Sequence, residues 1–188
     1  MVNFFDYDPE DIDVRISELL VATNDESDPL VDPSVTEALN LCREHLNMDV
    51  VFVSQFKHNR RTFRVVESKP GVTLVKAGQS DPVEESWCLH VVNGRLPQLM
   101  RDARPYIQRG EASAPPFPIG THLSTPIRLK DGSVYGTLCC FSQQVEEQVG
   151  DQDMQRLRAM ARMLAKRLDA SHTGGLQLQP VDMPPSSR

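Results

Sequence analysis

Long apolar runs are missing from this chain of 188 residues. No stretch approaches the roughly 20 consecutive apolar residues of a membrane span, so no membrane partner is expected. Basic excess is missing too: 20 Lys and Arg stand against 26 Asp and Glu, a formal net charge of −6. Nucleic-acid proteins need a basic surface to displace counterions from phosphates, so no nucleic-acid partner is expected. Cysteine is sparse, with Cys42, Cys88, Cys139 and Cys140 scattered apart from one adjacent pair. Neither C-x-x-C nor a Cys/His ligand spacing occurs, and no metal site is expected. The opening "MVNFFDYDPEDID" is acidic where a secretory signal needs a basic start and an apolar run. A cytoplasmic location with reduced thiols is therefore expected. Aromatic residues make up only 6% of the chain, and the single tryptophan, Trp87, sits in "EESWCLHVVNG" beside Cys88 and His90.

What is present suits one domain with tails: an N-terminal extension over 1–9, a domain over 10–170, and a disordered tail or cut linker over 171–188, where Gly, Pro and Ser replace periodicity. Ile12, Ile16, Leu19 and Leu20 have helical spacing. Asp32-Pro33-Ser34 opens a second helix, with Val35, Ala38, Leu39, Cys42 and Leu46 on one face. "DVVFVSQF" and "RTFRVVES" read as a hairpin turning at "KHNR". "GVTLVKAG" is a third strand candidate, and "PVEESWCLHVVNG" a short helix stopped by Gly94. "RLPQLMRDA" suits a short extended piece, and 104–120, with four prolines, a long loop of the kind that often carries function. "DQDMQRLRAMARMLAKRLDA" predicts a closing helix of roughly twenty residues. Its Met154, Leu157, Ala161, Leu164 and Leu168 alternate three and four apart, as a partner-facing seam would. The same stripe would equally suit packing on Ile16, Leu20 and Leu39 within the chain.

The clearest local signal is "THLSTPIRL" and "VYGTLCCFS" around "KDGS", where Asp131-Gly132 predicts a two-residue hairpin turn. Lys130 then faces Ser133, and Pro126, Ser124 and His122 face Thr137, Cys139 and Phe141. One sheet face collects Leu123, Thr125, Ile127, Leu129, Val134, Gly136, Leu138 and Cys140, a core face. The other collects His122, Ser124, Pro126, Arg128, Tyr135, Thr137, Cys139 and Phe141. Apolar walls with a few placed polar groups suit a small-molecule pocket; a half-solvated sheet face would show the same mixture. A bulge would exchange the faces, and Pro126 invites one.

The order of elements, together with "SWCLHVVNGRLPQLMRDA" and "PIGTHLSTPIRLKDGSVYGTLCCFS", resembles the GAF domain, in particular the sensor modules of bacterial signalling proteins, including those preceding cyclic-di-GMP synthesis or hydrolysis domains. The likeness covers about residues 10–170 and is most specific from His122 to Phe141. It implies an α+β fold: a central antiparallel sheet of about six strands, terminal helices on one face and ligand-enclosing loops and short helices on the other. It implies a non-catalytic small-molecule sensor, ligand unidentified and cofactor unknown, with Trp87, His90, His122, Ser124, Tyr135, Thr137, Cys139 and Phe141 as ligand-binding candidates. It further implies a homodimer through Ile16, Leu20, Met154, Leu157, Ala161, Leu164 and Leu168, passing a signal to an effector domain or partner. A ligand-free dimerisation scaffold is the alternative.

Related photoreceptors attach a bilin to a cysteine in the Cys88 region, but place histidine directly after it, where this chain has Leu89. GAF-fold reductases of free methionine sulfoxide suggest a Cys88–Cys139 redox pair. Their catalytic cysteine phrase is absent, and Cys88, several residues into its expected helix beside Glu84 and Glu85, lacks an evident cation to lower its pKa. The Asn-Lys-x-Phe-Asp-Glu signature of cyclic-nucleotide-binding GAF domains and a glycine-rich phosphate loop are also absent. His45, His58 and His172 read as surface or helix-edge residues. The expectation is that Cys88 is buried, not reactive.

Overall fold

A computed structural model describes residues 8–21 and 28–174. In chain order it has α1 (Pro9–Val21), α2 (Pro33–His45), β1 (Val50–Lys57), β2 (Arg60–Ser68), β3 (Ser80–Pro82), a 3-10 turn (Val83–Glu85), α3 (Trp87–Val92), β4 (Leu99–Met100), α4 (Arg104–Gln108), β5 (Thr121–Arg128), β6 (Val134–Ser142) and α5 (Asp151–Gly174). The six strands form one sheet in the order β3-β2-β1-β6-β5-β4, every pair antiparallel. The expected α+β architecture is the one observed. The segment 1–7 and most of the expected tail lie outside the described residues.

Two buried layers flank the sheet. On one side α1, α2 and α5 cover Val51, Val53, Val65, Leu123, Ile127, Leu138 and Cys140. On the other, α3, α4 and the segment up to Ile119 cover Val50, Phe52, Phe63, Met100, Cys139 and Phe141. The alternation along β6 from Leu138 to Phe141 is what sends its side chains to both layers.

Local chemistry explains the element ends. The Asp32 side chain accepts from the Ser34 amide at 2.8 Å while Pro33, lacking an N–H, takes the first helical position. His58 and Asn59 both adopt positive φ, 52° and 58°. That twist matches the β1–β2 hairpin, which is why the polar "KHNR" stretch turns there.

The second hairpin departs from expectation at its tip. Gly132 is left-handed (φ 86°), the Leu129 amide donates to the Ser133 carbonyl at 2.9 Å, and the turn holds three residues instead of two. The added residue is absorbed by a bulge: Arg128 pairs with Val134, but Ile127 pairs with Gly136. Beyond it the expected register returns, with Pro126, Ser124 and His122 opposite Thr137, Cys139 and Phe141. Tyr135 sits in the bulge and turns to the helix-covered layer, its hydroxyl 3.5 Å from Arg64. This corrects its assignment to the ligand face. "GVTLVKAG" is also no strand: it meets β2 only at its end, where the Gly78 amide donates to the Phe63 carbonyl at 2.8 Å, and β3 forms later, at Ser80–Pro82.

Gly136 is needed for close approach. A Cβ built there falls 1.9 Å from the Ser54 carbonyl oxygen. Gly136→Ala should therefore cost about 3 kcal/mol, read as a lowered urea midpoint; an unchanged midpoint would show that the strands can part without penalty.

The seam expected to meet a second chain is used within this one. Ile16, Leu20, Met154, Leu157, Ala161, Leu164 and Leu168 are all buried among α1, α2, α5 and the sheet. A three-four stripe serves an intrachain layer as well as a coiled coil, and here α1 and β5 supply the surfaces that cover α5. The large apolar side chains left open on α1 are Val14 and Val21, 58% and 71% exposed and two turns apart.

Candidate functional site

On the face away from the long helices, α3 lies over β5 and β6. The short helix expected in "PVEESWCLHVVNG" is interrupted at Ser86, whose hydroxyl caps α3 by accepting the Leu89 amide at 3.2 Å. Trp87 and Cys88 thus open α3 and point into the layer. Trp87 is fixed at both ends. Its indole N–H donates to the Ser113 carbonyl at 2.9 Å, tying α3 to the proline-rich segment. Its ring packs T-shaped against that of His122, with 5.2 Å between centroids.

Beneath α3 a line of polar side chains crosses an otherwise apolar layer. Asp81 binds Arg61 through both carboxylate oxygens. Arg61 reaches the Cys88 sulfur with Nη1 at 3.3 Å, and Cys88 lies 3.4 Å from the Cys139 sulfur. Cys139 in turn contacts the Ser124 hydroxyl at 2.8 Å and donates to Thr137 at 3.2 Å; Thr137 and Ser54 share a 2.8 Å hydroxyl bond. Both sulfurs are buried.

This line changes the chemistry of its members. Its hydrogen bond with Cys139 is the main influence lowering the Cys88 thiol to about 6, and the Arg61 cation adds to it; burial opposes both. Cys139 moves the other way: burial and the neighbouring Cys88 thiolate hold it protonated. His122, 3% exposed, is lowered to about 3 by burial and then by Arg61, so its ring is neutral at neutral pH. Its Nδ1 is buried without a hydrogen-bond partner, as is Nδ1 of His90. A buried nitrogen left so is costly and is normally filled by a ligand, water or protein group.

The candidates therefore divide. Trp87, His122, Ser124, Thr137, Cys139 and Phe141 meet in one buried layer. Phe141 stacks on Phe117, with ring centroids 5.5 Å apart. His90 stands at the rim, with Nε2 on the Glu84 carbonyl at 3.1 Å, and Tyr135 is on the opposite face. Arg61, Asp81 and Ser54 were missed. The signal was available once the turn at His58-Asn59 is placed: Arg61 lies two residues from Phe63 and so shares its face. The expectation that Cys88 has no nearby cation is corrected accordingly.

Open clefts lie elsewhere: one of about 960 Å³ between α2 and β2, and one of about 560 Å³ between α1 and α5. Neither touches the polar line, and the larger is a solvent-open groove, so the chemistry rather than the volume marks the site. Among the described residues no three His, Cys, Asp or Glu side chains converge as metal ligands, and no helix is long and apolar enough to cross a membrane.

Known structures share this architecture. The GAF domain of an Acinetobacter phosphoenolpyruvate-protein phosphotransferase matches with a TM-score of 0.69 at 15% identity, over 92% of this chain and 97% of that one. The free methionine-R-sulfoxide reductase of Neisseria meningitidis, solved with its substrate, matches at 0.68 and 16%, over 88% and 90%. A bacteriophytochrome from R. palustris matches at 0.65 and 14%, over 90% of this chain but 40% of that one. At such identities the likeness is one of fold. No curated protein matches by sequence. The GAF domain family model, however, matches residues 32–168, which is most of the chain, and the protein belongs to the GAF domain family.

Proposed function

We propose that this GAF domain is a non-catalytic regulatory sensor of a bacterial signalling pathway, taking a small molecule between α3 and the β5–β6 face. The supporting observation is the partnerless Nδ1 of His122 beneath Trp87. A neutral imidazole in an aromatic layer offers one hydrogen bond to a ligand whose remaining surface is apolar or aromatic. The ligand enters by displacement of the Trp87–Ser113 tie, which links α3 to the proline-rich segment. Output runs through a homodimer to an effector domain or partner, along the outer face of α1 and α5, where Val14, Val21 and the partly covered Met163 replace the buried stripe as contact residues.

A ligand-free dimerisation scaffold is the second reading, favoured by the stacking of Phe117 on Phe141, which fills the layer from within. Native mass spectrometry of the protein as purified from cells separates them and counts subunits in the same spectrum. A dimer carrying a non-covalent mass, lost in Trp87→Ala, is the expected result. A bare dimer that no member of a metabolite panel stabilises supports the scaffold, and a monomer removes the dimer from both readings.

A further inference from the structure

We propose that Cys88 and Cys139 form a peroxide-oxidised thiol pair, with Cys88 the attacking thiolate, Cys139 the resolving thiol and Arg61 the positioning cation. The proposal goes beyond ligand sensing and does not depend on it.

Geometry carries it. Two sulfurs on different elements, α3 and β6, stand 3.4 Å apart, and a disulfide needs about 2.05 Å between them. Arg61 at 3.3 Å faces Cys88, whereas the Cys139 sulfur contacts the hydroxyls of Ser124 and Thr137. The pair is thus unsymmetrical: one sulfur sits beside a cation, the other in a neutral hydrogen-bonding site. Nucleophile and resolving thiol require that difference. Cys42 and Cys140 lie in the helix-covered layer, where burial raises both thiols. Arg61 connects the pair to the surface: its side chain is 14% exposed and that of Asp81 is 38% exposed.

The oxidant is hydrogen peroxide or a small hydroperoxide. The Cys88 thiolate attacks one peroxide oxygen, so an S–O bond forms as the O–O bond breaks; the leaving hydroxide, or alkoxide, takes a proton from water. Cys139 then attacks the Cys88 sulfenic sulfur. The S–S bond forms, the S–O bond breaks, and the Cys139 proton leaves with the departing oxygen as water. Two thiols lose two electrons, and the peroxide gains them. Closing the bond removes the negative charge facing Arg61 and the S–H that Cys139 donates to Thr137, so α3 is drawn onto β6 while Arg61 keeps Asp81 and Thr137 keeps Ser54. An external dithiol reverses the change.

The test treats the reduced wild-type protein with hydrogen peroxide, quenches, alkylates the remaining thiols under denaturing conditions, and maps the peptides by mass. The expected product is a Cys88–Cys139 cross-link, about 2 Da lighter than the reduced pair, formed well before Cys42 or Cys140 changes. Its formation rate should be nearly flat from pH 7 to 9, because Cys88 is already a thiolate there, whereas an ordinary thiol would accelerate about tenfold or more over that range. Arg61→Gln should slow the reaction about tenfold and restore the pH dependence. Cys139→Ser should leave a Cys88 sulfenic acid that a 1,3-dione reagent traps. Cross-links to other cysteines, or equal oxidation of all four in the wild-type protein, overturn the proposal whether or not any variant folds.

Discussion

Asp32→Ala should cost the fold about 3–5 kcal/mol, an unusually large loss for one carboxylate. Asp32 is buried and Arg167 largely covered, their side chains 3% and 9% exposed, and they meet at 2.5 Å. The carboxylate also caps α2 through the Ser34 amide at 2.8 Å. Arg167 donates further to the Leu19 and Leu20 carbonyls and to the Ser34 hydroxyl, each at 3.3 Å. One ion pair therefore ties the end of α1, the start of α2 and the last turns of α5. Burial alone would raise the Asp32 carboxyl, but the Ser34 and Arg167 hydrogen bonds outweigh it and hold it below the usual carboxylate range. Removing the carboxylate takes this charge partner from a largely covered guanidinium, which is the expensive half of breaking such a pair. Asp32→Asn keeps a capping oxygen and should lose less. The double variant Asp32→Ala with Arg167→Met should recover part of the loss, because the guanidinium that loses the Asp32 contact is then gone as well. Urea unfolding of the four proteins checks this; an Asp32→Ala loss below about 1 kcal/mol would mean that water reaches the pair.

The same pair shows how far sequence reading carries. Asp32-Pro33-Ser34 announces a helix start because capping is local chemistry, written in three adjacent residues. That the cap also holds Arg167, 135 positions away, has no local signature. The hairpin from Thr121 to Ser142 was legible for a similar reason: alternation and Asp-Gly specify pairing, and the two layers follow from it. Tyr135 was misplaced because a three-residue turn and a bulge shift the register and then restore it; Tyr135 turns to the other face in the bulge, and Val134, opposite Arg128, changes face with it. "GVTLVKAG" has strand composition, but β2 at Arg60–Thr62 pairs with Ser80–Pro82 instead, and pairing partners are not encoded by propensity. The stripe on α5 is periodic in either setting, so periodicity alone could not decide between a partner chain and the chain's own α1. The site was legible where β5 and β6 build it, at His122, Ser124, Thr137, Cys139 and Phe141. Arg61 escaped because the hairpin turning at "KHNR" was read without assigning its faces, and its partners Asp81 and Cys88 lie 20 and 27 positions further along the chain.

Acid should weaken the fold through a different buried group, His122. Unfolded, its imidazole binds a proton near pH 6.5; folded, burial and then Arg61 hold that step down to about 3. Between those values the unfolded chain carries the extra proton, so stability falls as pH falls, by about 1.4 kcal/mol per unit. From pH 6.5 to 4.5 the loss should reach about 2–3 kcal/mol, before most carboxylates titrate. Cys88 overlaps only the top of this window: its thiol, about 6 when folded against 9.0 as the ordinary value, contributes stability lost mainly as pH falls from 9 towards 6, with about 1 kcal/mol or less still to go below pH 6.5. His45 acts with the same sign as His122, because burial and then Arg156 lower it too. His122→Asn separates the two histidines: it keeps a polar group under Trp87 but cannot take a proton, and its stability should change far less over the same range. A wild-type slope that persists in His122→Asn would place the acid-sensitive group elsewhere. A flat wild-type profile would mean that the buried imidazole accepts its proton without loss, and so that its Nδ1 is already bonded to water. The pH profile and the ligand reading therefore meet at one atom, since the same lack of a partner that makes Nδ1 available to a ligand makes protonation of the ring costly.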